Sequence, residues 1–594
     1  MTTFRLAAAL SLLLLRTAPA AAAALTRGPY LQTPTPQSII VRWRTDTPTS
    51  SRVAYGAAPG ALTTTVDDPT PATEHVVSLS GLPSGTQYYY SVGSALGAFV
   101  GDDADHYFRT APPVGTEMPL RLWAIGDAGF TGANLNAVRD AYATFNGSSA
   151  ADLFLLLGDN AYGVGSDPQY QAAVFDEHAA MLRTTPVYSV VGNHEAFSSN
   201  SVTQTGPYFD MFSFPTLGEA GGVASGTEAY FSFDYANLHF IVLDSEQAPT
   251  SASTPMLTWL ESDLQSTTAE WVVALWHRPP YSRGLLHNSD SEASEINMRQ
   301  YALPILEDYG VDLVLSGHSH SYERSYLLDG HYGPSSTFSS VHQLDPGDGD
   351  PGGDGAYRKA VIGPAAHAGA VYVVNGSGSE VRSATLDHPA MVVGLLELGS
   401  LVLDIDGPTL TARFLNSSVQ VRDAFRIVKG TGCPPVPATG CTAGAEGQLH
   451  VVDRTDDTRD GWRWRWRGGV IPPGAIGTPG DQTDLAICVY APYGPLLGGT
   501  ILHGASSWRG TASVQLYSDR SLSRHGFRKI QITSGVPAAQ IRVRAKGPTA
   551  LVPSPPLVFP LTAQLVNLDS GACWESVFTT PRRNGSVKTT ATIP

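Results

Sequence analysis

Five apolar runs constrain this chain more than any other feature. They read LRLWAIGDAG from Leu120, ADLFLLLGDN from Ala151, VYSVVGNHE from Val187, WVVALWHRPP from Trp271 and VDLVLSGHSH from Val311. Each is nearly continuous in apolar residues and ends in Gly or Trp followed by polar ones. A strand with one wet face alternates; a continuous run suits a strand covered on both faces. Between the runs lie helix-like segments, GANLNAVRDAYATF, DPQYQAAVFDEHAAMLR, TPMLTWLESDLQS and INMRQYALPILEDYG. That alternation predicts a layered α/β domain whose ligands sit on loops beyond the strand ends. EAYFSFDYANLHFIVLDS reads as a hairpin of the same domain, and GAVYVVNGSGS with SLVLDIDGPTLTARFLNSSVQVRDAFRIVKG as its closing strands.

At 594 residues the chain exceeds what one core accommodates, so two to four domains are expected. Residues 1–24 read as a secretory leader, with Arg5 ahead of an apolar core from Leu6 to Leu15 and a small-residue cleavage zone, APAAAAA. Residues 25–113 are β-like. SIIVRWRT alternates around Trp43, and LSGLPSGTQYYYSVG resembles the late strand of a fibronectin type III-like sandwich. Residues 114–430 hold the α/β pattern. Residues 431–594 are β-rich and include GWRWRWRGG, in which Trp462, Trp464 and Trp466 alternate with arginines. On a strand, that row faces either a core or an aromatic binding surface for sugar or a partner; the core reading is favoured. The expectation is an α+β multidomain protein.

Formal net charge is −16, which disfavours broad capture of nucleic acid, so an anionic substrate needs a local attractor such as a metal ion. Outside the leader, no run reaches the length that spans a bilayer. The protein is expected to be secreted or otherwise extracytoplasmic. All four cysteines, Cys433, Cys441, Cys488 and Cys573, lie late, and an even number in an exported chain suggests two disulfides. Cys433 with Cys441, and Cys488 with Cys573, is the expected pairing. Asn146, Asn375, Asn416 and Asn584 stand in N-x-S sequons.

The predicted strand ends deliver Asp127, Asp159, Tyr162, Asn193, His277, His318 and His320. All are oxygen or nitrogen donors, which suits iron, zinc or manganese rather than a thiolate site. His318 and His320 stand two apart in SGHSHSYERSY. In an extended segment two such imidazoles either converge on one ion or straddle two.

In order, GDAG, GDNAY, GNHE, LWH and GHSH resemble the five blocks of the purple acid phosphatases, within the calcineurin-like metallophosphoesterases. GHSHSYERS and GNHE are similar to the large plant-type branch, which carries a fibronectin-like N-terminal domain. The resemblance covers about residues 25–429. Where the ordinary superfamily pattern has Asp-x-His, Gly129 stands in place of the histidine and Tyr162 is present, which favours the purple branch. The resemblance implies a central α/β/β/α metallophosphoesterase domain. One metal, Fe(III), would be held by Asp127, Asp159, Tyr162 and His320. A divalent partner (Zn, Fe or Mn) would be held by Asp159, Asn193, His277 and His318. It further implies hydrolysis of phosphate monoesters by a metal-bound hydroxide, with His194 and His287 as outer histidines that bind phosphate and protonate the leaving alkoxide. Glu195 and Glu323 are expected as structural partners, and Tyr322 as a pocket-lining residue. A phosphodiesterase or nucleotide hydrolase on the same bimetal site is the nearest alternative. A surface-binding protein whose β domains carry the main role is the alternative of another class, and the C-terminal region is expected at most to target a surface or polymer.

Overall fold

The computed structural model describes residues 23–593 apart from 148, 354, 360–361, 431–432, 435, 455–458, 493, 502–506, 521–525, 548–549, 551 and 554. The leader expected over 1–24 falls outside the described residues except for its last two.

Two seven-stranded sheets form the centre. One runs Tyr357–Lys359, Val421–Lys429, Thr409–Asn416, Gly399–Asp406, Leu120–Ile125, Leu153–Leu156 and Val187–Ser189 across its width. The other runs Phe231–Tyr235, Leu238–Val242, Trp271–Leu275, Leu313–Ser316, Val371–Asn375, Tyr322–Ser325 and Met391–Leu395. All five apolar runs are strands, three neighbours in the first sheet and two in the second, parallel within each group. They are buried almost throughout, as continuous apolar character requires.

Leu122 and Leu401 of the first sheet meet Phe233, Val273 and Leu313 of the second in one core. Helices Pro255–Ser266 and Leu303–Asp308 cover the outer face of the second sheet through Leu260, Leu303, Val272 and Val314. Helix Ala133–Asn146 covers the first, laying Tyr142 flat on Trp123 at 4.4 Å. The order of layers is therefore helix, sheet, sheet, helix. The predicted hairpin forms with Phe233 opposite Phe240. The segment expected as one helix after Asp167 instead divides into Asp167–Tyr170, a wider-turned Gln171–Asp176 and Ala179–Leu182.

A six-stranded N-terminal sheet grips that divided segment from outside. Arg27, fully buried, donates to Asp167 at 3.0 Å and Gln171 at 2.9 Å, and its guanidinium lies 4.1 Å over Phe175. Tyr30 donates to the Met211 carbonyl at 2.7 Å. The Arg27 contacts anchor the segment that follows the loop carrying Tyr162. Inside the central domain, His239 bridges Asp234 at 2.7 Å and Asp263 at 2.8 Å. Burial disfavours its charge, but the two carboxylates outweigh burial and raise its pKa to about 9.

The C-terminal region pairs a five-stranded sheet with an eight-stranded one around a shared core. Trp462, Trp464 and Trp466 all point into that core. The cystines differ from the expected pairing: Cys433 joins Cys488, and Cys441 joins Cys573. Cys488 lies on Leu485–Ala491 and Cys573 on Cys573–Phe578, two strands that flank Leu561–Asn567 on opposite sides. Strands separated by a common neighbour lie about 9.6 Å apart, beyond disulfide reach. Each therefore reaches a cysteine of the entering segment. Of the sequons, Asn375 and Asn416 are buried, and Asn375 donates to the Ala124 carbonyl, so neither is open to a glycan in the folded chain.

Peptide mapping without reduction is expected to recover Cys433–Cys488 and Cys441–Cys573 peptides; a Cys433–Cys441 peptide in their place contradicts the fold of this region. His239 carries a raised folded pKa, so its stabilisation is full below about pH 6.5 and is lost as pH rises through about 9. A His239→Gln variant should melt below the parent at pH 6, with the gap narrowing by pH 9.5; a gap independent of pH refutes the buried charge.

Candidate metal centre

Loops leaving the parallel strands carry every donor expected from the sequence. Asp127, Asp159 and His318 each take a left-handed turn directly beyond a strand, with φ of 54°, 52° and 68°. Glycine precedes each because the loops close on one another. A Cβ on Gly158 would come within 2.5 Å of His277 Nδ1, and one on Gly317 within 2.5 Å of Asp127 Oδ2. Gly129 has a similar origin: a Cβ there would sit 2.6 Å from the Tyr162 backbone nitrogen. In this backbone, any side chain at 129 collides with the loop that presents Tyr162.

The donors form two adjoining groups. In the first, the Tyr162 hydroxyl donates to Asp127 Oδ1 at 3.0 Å and lies 3.0 Å from His320 Nε2, which is itself 3.4 Å from Asp127 Oδ1. In the second, His277 Nε2 lies 3.2 Å from Asn193 Oδ1 and 3.4 Å from Asp159 Oδ1. Asp159, His277 and His318 offer ligand atoms within 4.8 Å of one another.

The other nitrogen of each imidazole lies close to a group outside the cluster, by hydrogen bond for His277 and His318 and at ion-pair distance for His320. His277 Nδ1 contacts the Leu157 carbonyl at 2.8 Å, His320 Nδ1 lies 2.8 Å from Glu380, and His318 Nε2 lies 3.0 Å from Glu292. Such partners fix ring orientation and leave one nitrogen facing inward; for His318 that nitrogen is Nδ1. The two histidines of GHSH thus belong to different groups.

Electrostatics explain why these groups fit cations. Asp127 and Asp159 are buried. Burial opposes ionisation of Asp159, but His277 and then His194 hold its carboxyl below the usual range. Burial pushes the Tyr162 phenol well above its ordinary value, and Asp127 and Asp159 push it further. Burial disfavours the charge of His277, yet the Asp159 carboxylate beside it raises its pKa to about 10. Buried oxygens and imidazoles thus cluster without sulfur, and the tyrosine keeps its proton unless a cation replaces it. That donor chemistry fits hard or borderline metal ions.

His194 sits at the rim. Its Nδ1 contacts the Gly163 carbonyl at 2.7 Å, which turns Nε2 toward Asp159 Oδ2 at 3.7 Å, and the side chain is 29% exposed. His287 packs its ring 3.8 Å from that of His318 and contacts Glu292 at 3.1 Å. Tyr322 does not line the pocket. It is buried in the core, donates to Asp423 at 2.7 Å and stacks on Phe414, because its strand turns that position inward between the sheets. Glu323 accepts from the Ser282 hydroxyl at 2.6 Å. Glu195 accepts the backbone N–H groups of Asp159, Asn160 and Gly192 at 2.8, 2.9 and 2.9 Å, tying two donor loops together. Burial, followed by Asp159, raises its pKa to about 8.

Sequence reasoning missed Arg278, Glu292 and Glu380. Arg278 pairs with Glu246 at 2.9 Å and Glu292 at 2.5 Å, with Nη1 3.0 Å from His318 Nε2. Its only sequence signal was its place directly after His277; Glu292 and Glu380 had none.

Residues 120–322 match the family model for calcineurin-like phosphoesterases, and residues 29–110 match that of the purple acid phosphatase N-terminal domain. Purple acid phosphatase 15 of Arabidopsis thaliana is 28% identical over 314 residues, 46% of this chain and 56% of that one. Purple acid phosphatase 1 of Ipomoea batatas is 29% identical over 259 residues, 42% and 51% respectively. The chain thus spans little more than half the length of these relatives. Among solved structures, the purple acid phosphatase PPD1 from yellow lupin (Lupinus luteus) seeds shares the fold, with a TM-score of 0.53 at 18% identity, over 70% of this chain and 78% of that one.

Replacing Glu195 with Gln leaves buried N–H donors facing an amide NH2, at a cost of about 2 kcal/mol or more. Glu195→Gln should lower both the melting temperature and the metal content of the purified protein; full metal content in the variant refutes the loop-tying role.

Proposed function

We propose that this chain, which carries a calcineurin-like phosphoesterase domain behind a purple acid phosphatase N-terminal domain, is an exported acid phosphatase acting on phosphate monoesters at a binuclear Fe(III)–M(II) centre. The observation that carries the reading is the Tyr162–Asp127–His320 group, a buried phenol 3.0 Å from both a carboxylate and an imidazole. Asp127, Asp159, Tyr162 and His320 would hold Fe(III). Asp159, Asn193, His277 and His318 would hold Zn, Fe or Mn, with Asp159 shared. The assignment of iron rests on Tyr162, since a phenol with a free pKa near 10 ionises near neutrality only beside a strong Lewis acid.

Bound there, two metal ions supply Lewis acidity toward the phosphoryl oxygens and activate water as nucleophile. The chain's own residues do the rest. Hydrogen bonds from His277 to the Leu157 carbonyl and between His318 and Glu292 hold two of the imidazoles in place, and Glu380 lies at ion-pair distance from the third, His320. His194, with a partly exposed side chain and Nε2 turned toward Asp159, binds a phosphoryl oxygen and passes a proton to the leaving alkoxide. His287 shares that face through its contact with His318. Arg278 offsets the charge of Glu246 and Glu292 beneath them. The N-terminal sheet is read as fibronectin type III-like within a domain 25–113, ahead of a catalytic domain 114–430 and a β domain 431–594. Two cystines support passage through an oxidising compartment, and no described helix is long and apolar enough to cross a membrane.

Purified protein should absorb in the visible through tyrosinate-to-iron charge transfer, and Tyr162→Phe should abolish the band. A colourless, fully metallated and active protein sinks the Fe(III) assignment. kcat/KM should favour an aryl phosphate monoester over the matched diester; the reverse order makes the protein a phosphodiesterase. His194→Ala should lower kcat about 100-fold or more at unchanged metal content.

A further inference from the structure

The C-terminal sheet bears a surface that the catalytic reading does not use. After residue 430 the chain carries sixteen Lys and Arg against ten Asp and Glu, although the whole chain is at −16. Because Trp462, Trp464 and Trp466 face the core, Arg463 and Arg465 stand on the outer face of the eight-stranded sheet. Strand register then aligns basic residues across the strands. Lys529 is opposite Arg544, Arg544 opposite Arg463, Arg463 opposite His450, and His450 opposite Thr590, which faces Arg583. A parallel row, one pleat repeat away, places Gln531, Arg542, Arg465 and Gln448 side by side. Neither row contains a carboxylate.

Arginines directly opposite each other across a sheet repel, and here they do so twice, at Arg463–Arg544 and Arg465–Arg542. Among the described residues, none of these four pairs with an acid. Burial, with Arg463 and Lys588 adding to it, lowers the pKa of His450, as a positive field requires. Two hollows, of about 540 and 300 Å³, open on this face, and Arg463, Arg544 and His450 line both.

We propose that this face is a binding track for a linear acidic polysaccharide with a carboxylate or sulfate on successive sugars. Lys529, Arg544 and Arg463 stand on three successive strands at the strand spacing of about 4.8 Å, with His450 on the next, and a pyranose ring advances its chain by about one such step. The guanidinium fork matches carboxylate and sulfate in two-point hydrogen bonds. Nucleic acid fits less well. A single strand needs exposed aromatics for stacking, and the tryptophans face inward; a duplex places its phosphates about 3.4 Å apart per strand along its axis. The track holds the enzyme on an acidic matrix and is independent of the metal centre.

The test uses the full-length protein on heparin and on polygalacturonate, with neutral dextran as control, at about 0.15 M salt. The parent should bind both acidic polymers and not dextran. The variant Arg463→Gln/Arg465→Gln/Arg542→Gln/Arg544→Gln should bind at least tenfold more weakly, while Arg422→Gln, outside the track, binds as the parent. Hydrolysis of a small phosphate ester and the circular dichroism spectrum should be unchanged in all three, which separates loss of the track from loss of the fold. Equal binding by the fourfold variant, no binding to either acidic polymer, or tighter binding to duplex DNA or anionic vesicles than to the polysaccharides overturns the proposal.

Discussion

Much of the centre depends on one buried carboxylate that faces no ligand position. Glu195 accepts backbone N–H groups from the loop of Asp159 and from the loop of Asn193, and so fixes the distance between two donor loops that leave different strands. A buried carboxylate is costly unless its oxygens are satisfied; three backbone donors offset part of that cost, although burial and Asp159 still raise its pKa. His194 stands next to it in sequence and donates its own N–H to Asp159 Oδ1 at 2.9 Å. The outer histidine and the shared carboxylate are therefore placed by one short segment.

Close approach explains why glycine recurs in the motifs. The loops converge from two sheets onto a space a few ångströms across, and backbone meets side chain where a Cβ would otherwise stand, as at Gly158 and Gly317. The absence of a side chain at 129 and the presence of Tyr162 are likewise two sides of one packing fact. Around this centre the protein adds support in opposite directions. The N-terminal sheet inserts Arg27 against Asp167 and Phe175, steadying the loop downstream of Tyr162. The C-terminal sandwich turns Trp462, Trp464 and Trp466 inward and Arg463 and Arg465 outward, beside Arg542 and Arg544 of the neighbouring strand.

The five apolar runs, the hairpin and the tryptophan row were legible in the sequence because each is a local periodicity, set by whether a strand is covered on one face or two. Seven candidate donors, Asp127, Asp159, Tyr162, Asn193, His277, His318 and His320, were legible as polar residues beyond the ends of those runs, whereas His194 and His287 were expected only through the family resemblance; the structure brings all nine near one another. The failures share another character. Tyr322 was read from its motif neighbours, but strand pairing with Val371–Asn375 and Met391–Leu395 directs it into the core. The cysteines were paired by nearness along the chain, whereas sheet order puts a strand between Cys488 and Cys573. Glu292, Glu380 and Arg278 gave no usable pattern because their partners are distant in sequence or lie on other loops.

The sequence by itself determined which segments are strands and which residues can bind a cation, since side-chain chemistry and periodicity are properties of short stretches. Only the tertiary structure decided which nitrogen of each histidine faces inward, which cysteines meet, and that four arginines from two strands form one surface. Those outcomes depend on register and on contacts between residues far apart in the chain, which no local pattern encodes.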